Sequence, residues 1–202
     1  MRRDIILAGV GGQGILTLAV LIVNAAMREG LNVRQAEVHG MSQRGGAVEA
    51  HVRLSDGPLF SNLVAKGRAD LILATEPLEA LRQIDYLSPG GLIVTNSATV
   101  ENIPNYPPHE ELIKLLQGCG RKVYLIDAAV VAKEAGTARA QNVVLIGAAS
   151  EFVGLRPESL QGAVLERFAN KKKPLADMNL RALRLGALRI QQMVPHTVSG
   201  VV

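Results

Sequence analysis

The chain has 202 residues, a formal net charge of +4 and a single cysteine, and 48% of its residues are apolar. This suits one domain with an ordered core. The aromatic content of 3%, without tryptophan, excludes a stacking platform for single-stranded nucleic acid, and we expect no nucleic-acid partner. One cysteine excludes an internal disulfide, a cysteine-rich zinc site and an iron–sulfur cluster, and we expect a cytoplasmic protein.

The first predicted elements are a strand, a glycine turn and a helix. The apolar run 5–8 leads into Gly9-Val10-Gly11-Gly12-Gln13-Gly14, and the apolar stretch 15–27 follows, closed by Gly30. Gly9, Gly11 and Gly14 have dinucleotide-binding spacing, in which the first glycine turns the chain, the second admits a ligand and the third lets the helix pack on the strand. The turn is either an anion site at a helix N-terminus or only a tight connection. The helix is too short to span a bilayer, and we expect no membrane partner.

A second glycine-rich segment follows the next predicted strand, residues 33–38. It contains Ser42, Gln43, Arg44 and Gly45. The guanidinium of Arg44 either binds a phosphate or carboxylate or bonds to carbonyl groups of its own turn. Glu37 is only loosely placed for a ribose contact, and a basic glycine-rich turn at this point is unusual for an NAD-dependent dehydrogenase.

Strands and helices alternate beyond this point. The period of two over residues 48–54 predicts a half-exposed strand with His51 facing solvent. Buried strands are predicted at 70–75, 92–96 and 122–127, and helices from Pro77 and at 110–117, 128–135 and 141–153, with a turn at 88–91. This order predicts an α/β, Rossmann-like fold with a mostly parallel sheet covered by helices. Ligands of such folds lie at the carboxyl ends of the strands, where the glycine turn, Thr75 and Asn96 should meet.

The C-terminal third is predicted to be helical, at 157–168 and from near Asp177 to Met193. We expect a single domain over 1–195, in which 155–195 is the helical C-terminal part, and a tail at 196–202. The last helix has apolar residues on several sides, so it packs either on its own sheet or on a partner. The four histidines lack metal-ligand spacing, and we predict no metal site and no catalytic residue in this chain.

The two glycine motifs together resemble the gamma domain of 2-oxoacid:ferredoxin oxidoreductases, and more narrowly the beta subunits of indolepyruvate ferredoxin oxidoreductases. The strand 50–53, the segments 88–91 and 142–148 and Asn179 fit the same pattern, so the resemblance covers nearly the whole chain. It implies a subunit of an enzyme that oxidatively decarboxylates an aryl 2-oxoacid to an acyl-CoA and passes electrons to ferredoxin.

The resemblance also implies how the work is divided between subunits. Thiamine diphosphate and the iron–sulfur clusters belong to a partner alpha subunit, coenzyme A is the co-substrate, and the isolated chain is inactive and free to form a homodimer. The residues that would contact a cofactor or the partner are Gly9, Gly11, Gly12, Gln13, Gly14, Ser42, Gln43, Arg44 and Gly45.

Two other classes of protein remain open at this stage. The glycine spacing permits a stand-alone oxidoreductase that binds NAD or a flavin. It also permits a regulatory module that holds a nucleotide without turning it over.

Overall fold

The computed structural model describes residues 1–39, 45–169, 171 and 173–193, and these form one six-stranded sheet and seven α-helices. The strands are β1 (Arg2–Val10), β2 (Asn32–His39), β3 (Ala47–Ser55), β4 (Ala69–Ala74), β5 (Leu87–Asn96) and β6 (Lys122–Ile126). The helices are α1 (Ile15–Arg28), α2 (Pro77–Arg82), α3 (His109–Gly118), α4 (Ala128–Glu134), α5 (Gln141–Ala149), α6 (Pro157–Phe168) and α7 (Lys173–Met193).

The strands lie in the order β2-β3-β1-β4-β5-β6. β1, β4, β5 and β6 are parallel, which confirms the predicted α/β, mostly parallel architecture. β3 is antiparallel to both of its neighbours, β1 and β2. Only residues 40–46 connect β2 to β3, and so short a connection can join only antiparallel neighbours. The sheet therefore has β3 inserted between β1 and β2.

Helices cover both faces of the sheet. On one face, α1 packs against β1, α5 packs against β5, and α6 packs on α1, in a core that includes Ile5 and Leu7 of β1. On the other face, α2 packs against β1 and β4, and α3 packs on α2 and β6, in a core that includes Ile6 and Ala8. A strand that is buried on both faces is apolar throughout, and this explains why β1 and β4 could be predicted from the sequence.

The first helix is confirmed as predicted. α1 begins directly after the glycine turn and has no charged residue before Arg28. Gly30 follows it with a φ of 72°, a left-handed conformation that ends helices and suits glycine. No helix in the described part of the chain is both long and apolar enough to cross a membrane.

α7 packs closely on α5 within the same chain. It begins at Lys173, about one turn earlier than predicted. A Cβ on Gly186 would lie 2.1 Å from the carbonyl oxygen of Val144, and a Cβ on Gly147 would lie 2.0 Å from that of Leu183. The two glycines therefore let the helix backbones touch, and α7 belongs to the core of its own chain.

The prediction that β3 is half exposed is wrong. His51 is 2% exposed and Arg53 is 7% exposed. The segment that follows β3 covers this face, because the Val64 N–H donates to His51 Nδ1 at 3.1 Å and Arg53 donates to the Ser61 carbonyl oxygen at 3.1 Å. The polar residues of β3 thus hold a covering loop instead of facing solvent.

The turn predicted at residues 88–91 is also wrong, because these residues lie within β5. The register between β4 and β5 shifts here, between Ala69 and Leu71. A Cβ on Gly91 would lie 2.6 Å from the carbonyl oxygen of Ala69, so the glycine allows the strands to approach at an irregular point.

Candidate functional site

The glycine turn, residues Gly9–Gly14, joins β1 to α1 at the carboxyl edge of the parallel strands. Gly12 and Gly14 have φ values of 101° and 79°. Gly9 stays within β1, where a Cβ would lie 2.0 Å from the hydroxyl oxygen of Thr75. The expectation that the first glycine turns the chain is therefore wrong: Gly9 makes room for a neighbouring side chain, and the later glycines turn the backbone.

Two amide side chains hold the glycine turn in shape. Gln13 Oε1 accepts hydrogen bonds from the Val10 N–H at 2.8 Å and from the Thr75 hydroxyl at 2.7 Å. Asn142, at the start of α5, donates from Nδ2 to the carbonyl oxygens of Gln13 at 2.9 Å and Gly14 at 3.2 Å. The side-chain oxygen of Gln13, predicted to meet a ligand or partner, is thus engaged within the turn.

The two glycine-rich motifs lie side by side. The Gly11 N–H donates to the Gly46 carbonyl oxygen at 2.7 Å, and the Gly45 N–H donates to the Gly11 carbonyl oxygen at 3.2 Å. Asn102 donates from Nδ2 to the Gly45 carbonyl oxygen at 2.9 Å. Residues 42–44, which were predicted for the same site, lie outside the described residues. We call the glycine turn together with Gly45 and Gly46 the rim.

The electrostatics of the rim favour anions. The first turn of α1 leaves its N–H groups without partners inside the helix, and the helix dipole places a partial positive charge there. The first turn contains no acidic residue to offset that charge. A phosphate or carboxylate near Gly14 would therefore be stabilised by backbone groups alone.

A cleft of about 440 Å³ lies next to the rim, at the carboxyl ends of β1, β4 and β5. Its lining combines uncharged polar side chains with three apolar residues and one guanidinium. The lining residues are Gln13, Thr75, Asn96, Val100, Ala138, Arg139, Gln141, Asn142 and Leu145. The predicted meeting of the glycine turn, Thr75 and Asn96 at one edge is confirmed.

Sequence reasoning missed Arg139 and Asn142 as residues of this cleft. Both belong to the connection that enters α5, far along the chain from the glycine turn. The usable signal was their place just before and at the start of a helix, whose N-terminus points to the same edge of the sheet.

A larger cavity of about 660 Å³ at the opposite edge of the sheet has a structural explanation. Its central guanidinium, Arg53, donates from Nε to Asp4 Oδ1 at 2.7 Å and also bonds to loop carbonyl groups. Arg53 and Asp4 are thus paired with each other, and Arg53 fixes the loop that covers β3. The cleft at the carboxyl edge is the better candidate for ligand binding.

A buried carboxyl group, that of Glu76, belongs to the residue directly after Thr75 of the cleft lining. Glu76 is fully buried and caps α2 by accepting a hydrogen bond from the Glu79 N–H at 2.9 Å. Burial raises the pKa of Glu76 to about 7, against the opposing effect of that N–H bond. Burial also raises the pKa of Glu79, while Arg82 lowers it. The Tyr106 hydroxyl donates to Glu76 Oε1.

The strand order does not suit NAD in the manner of a dehydrogenase. In the dinucleotide-binding fold, the acidic residue that holds the ribose ends the strand next to β1. Here Glu37 lies on β2, and β3 separates β2 from β1, so two strand spacings, or about 10 Å, intervene. The polar groups that line the cleft are able to form hydrogen bonds, and Arg139 adds a charge. In the described part of the chain, no group of His, Cys, Asp and Glu residues could hold a metal ion.

Comparison with known proteins agrees with this geometry. The sequence matches the pyruvate ferredoxin/flavodoxin oxidoreductase family over residues 4–188. The indolepyruvate oxidoreductase subunit IorB of Thermococcus kodakarensis is 41% identical over 198 residues, which are 95% of this chain and 97% of that protein. The stand-alone NAD, flavin or regulatory alternatives gain no support from these matches.

Two solved structures share the fold. The 2-oxoglutarate:ferredoxin oxidoreductase of Magnetococcus marinus, with 2-oxoglutarate, coenzyme A and succinyl-CoA bound, has a TM-score of 0.75 at 24% identity. The match covers 96% of this chain and 32% of that one, so the chain spans about a third of the larger protein. The gamma subunit of a keto/oxoacid ferredoxin oxidoreductase from Geobacter sulfurreducens has a TM-score of 0.70 at 23% identity, covering 94% of this chain and 99% of that subunit. With the match over nearly its whole length, the chain belongs to the pyruvate ferredoxin/flavodoxin oxidoreductase family.

Proposed function

We propose that this chain is the non-thiamine-binding subunit of an indolepyruvate ferredoxin oxidoreductase. The complex oxidatively decarboxylates an aryl 2-oxoacid, transfers the acyl group to coenzyme A and passes electrons to ferredoxin. The name of the 41% identical relative supports the choice of indolepyruvate within the family. One cysteine cannot supply the four thiolates of an iron–sulfur cluster. The family resemblance implies that the clusters and thiamine diphosphate belong to a partner alpha subunit.

The rim and the cleft contribute to the coenzyme A site in this proposal. Coenzyme A carries several phosphate groups, and the free N–H groups at the start of α1 suit a phosphate. Arg139, an exposed side chain in the lining of the cleft, adds a guanidinium that can bind phosphate through two hydrogen bonds. Arg44, which the sequence predicts for the same site, would supply a second guanidinium.

The observation that carries the proposal is the contact between the two glycine motifs. They lie more than thirty residues apart in the sequence, yet Gly11 and Gly46 are joined by a backbone hydrogen bond of 2.7 Å. This bond joins the two motifs and brings glycine surfaces from both to one place. A subunit that completes a site held mainly by another chain needs such a concentrated edge, and it does not need catalytic side chains of its own.

The test is steady-state kinetics of the complex reconstituted with its alpha subunit, using indolepyruvate, coenzyme A and an electron acceptor. Arg139→Ala and Arg44→Ala should each raise KM for coenzyme A by about tenfold, the lower end of the effect of a lost charge-assisted hydrogen bond. The value of kcat should change little, because neither residue touches the reacting atoms.

Arg184→Ala is a matched control, since this exposed arginine lies on α7, outside the lining of the cleft. It should leave KM for coenzyme A unchanged. If Arg139→Ala and Arg44→Ala both behave like this control, coenzyme A does not bind at this edge. If the complex has no coenzyme A-dependent activity with any aryl 2-oxoacid, the proposed reaction itself is wrong.

A further inference from the structure

The buried carboxyl group of Glu76 does more than cap a helix. Its Oε2 accepts the Glu79 N–H and so occupies the N-cap position of α2. Its Oε1 accepts the Tyr106 hydroxyl. One buried side chain therefore holds both the start of α2 and the loop 97–108, the latter at Tyr106.

The loop 97–108 connects this carboxyl group to the rim. Asn102 lies four residues before Tyr106, and its Nδ2 donates to the Gly45 carbonyl oxygen at 2.9 Å. Gly45 in turn donates its N–H to the Gly11 carbonyl oxygen at 3.2 Å. Glu76 is thus linked to the glycine turn by the Tyr106 bond, the chain between Asn102 and Tyr106, and the bonds of Asn102 and Gly45.

The loop also forms part of the cleft, because Val100 lines it. Displacement of the loop would move both Val100 in the wall of the cleft and Asn102, which is bonded to Gly45. Glu76 itself is not among the residues that line the cleft, and it is fully buried. It therefore acts on a ligand only through other residues.

We infer that Glu76 is a positioning residue for ligand binding at this edge: through the loop 97–108 and Asn102, it holds Gly45 against the glycine turn. The inference rests on the proposed function only for the identity of the ligand, coenzyme A. The network of hydrogen bonds is a property of this chain and can be tested separately.

The first test uses hydrogen–deuterium exchange in the reconstituted complex without substrate. Glu76→Ala should increase exchange in peptides that cover residues 45–55 as well as 97–108, because the loop that holds Gly45 is released. Glu79→Ala is the matched control: Glu79 lies on the same helix, is 1% exposed, and bonds to Arg82 and not to the loop. An increase confined to α2 in both variants would show that Glu76 only caps its helix and would overturn the inference.

The second test is a double-mutant cycle on KM for coenzyme A. Tyr106→Phe, Asn102→Ala and Glu76→Ala should each raise KM by roughly five- to tenfold, the effect of about one lost hydrogen bond, and leave kcat within about twofold. Because Glu76 acts through Asn102, KM of the double variant Glu76→Ala/Asn102→Ala should be no higher than that of the more affected single variant. If the two increases in KM multiply in the double variant, Glu76 and Asn102 act independently, and the inference is contradicted.

Glu76→Gln separates positioning from charge. Its amide can still accept the Glu79 N–H and donate to the Tyr106 oxygen, so it should keep KM near the wild-type value. If Glu76→Ala folds poorly, Tyr106→Phe and Asn102→Ala still decide the question, since each removes one bond of the series. Loss of coenzyme A dependence in every protein would reject the proposed function, whereas normal KM and normal exchange at residues 45–55 in these variants would reject the positioning role alone.

Discussion

Replacing Glu76 by glutamine should change the way in which stability depends on pH. The pKa of Glu76 is about 7 in the folded chain against an ordinary value of 4.5, because burial disfavours the ionised form. The folded state therefore binds this proton more tightly than the unfolded state. The stabilisation is complete below pH 4.5 and is lost as the pH rises through 7.

The size of the effect follows from the shift in pKa. Each pKa unit corresponds to about 1.4 kcal/mol, so the chain should lose about 3 kcal/mol of its free energy of unfolding between pH 4.5 and pH 8 on account of this one group. An amide stays neutral over this range. The Glu76→Gln variant should therefore lose about 3 kcal/mol less than the wild type over the same interval.

Urea denaturation of both proteins at several pH values in this range measures the difference directly. Glu79→Gln is a useful companion, because burial raises the pKa of that neighbour in the same direction while Arg82 opposes the change. Glu79→Gln should remove only the contribution of Glu79 to the pH dependence of stability and leave that of Glu76 in place. If the free energy of unfolding depends on pH in the same way in the wild type and in Glu76→Gln, the pKa of Glu76 is not raised in the folded chain. That result would refute this reasoning.

Two further substitutions test the packing. Gly186→Ala should lower the free energy of unfolding by about 1–3 kcal/mol in urea denaturation, because its Cβ would lie 2.1 Å from the Val144 carbonyl oxygen. The control Gly118→Ala, at an exposed helical glycine with open space around it, should be neutral or stabilising. Equal effects of the two substitutions would contradict the close helix contact. Arg53→Met removes one of the two guanidinium partners of the buried Asp4 and leaves it only Arg2, so it should lower stability by about 1.5–3 kcal/mol in the same assay, with much of the loss recovered when Asp4 is also replaced by leucine. No recovery would mean that Arg53 matters through its loop contacts.

The parts of the fold that repeat a local pattern could be predicted from the sequence. The strand, glycine turn and helix at residues 2–28 are encoded by apolar runs on either side of glycines, and Pro77 and Pro157 mark the first residues of two helices. Family resemblance placed the two glycine motifs in one site, and the backbone bonds between Gly11 and residues 45–46 agree with it.

The parts that depend on distant partners could not be predicted. Alternation in β3 is typical of a half-exposed strand, but His51 is buried because a later segment covers it. Gly9 matched a turning position, but the reason for a glycine there is the side chain of Thr75, which arrives with another strand. Arg139 reaches the cleft only through the fold, since nothing near it in the sequence indicates a ligand.

The central claim is that this chain completes a reaction centre that belongs mainly to another protein. The most direct measurement compares the rate of electron-acceptor reduction by the purified chain alone with that of the chain co-purified with its alpha subunit, in the presence of indolepyruvate and coenzyme A. We expect coenzyme A-dependent turnover by the complex and none by the isolated chain. Turnover of indolepyruvate by the isolated chain would contradict the account.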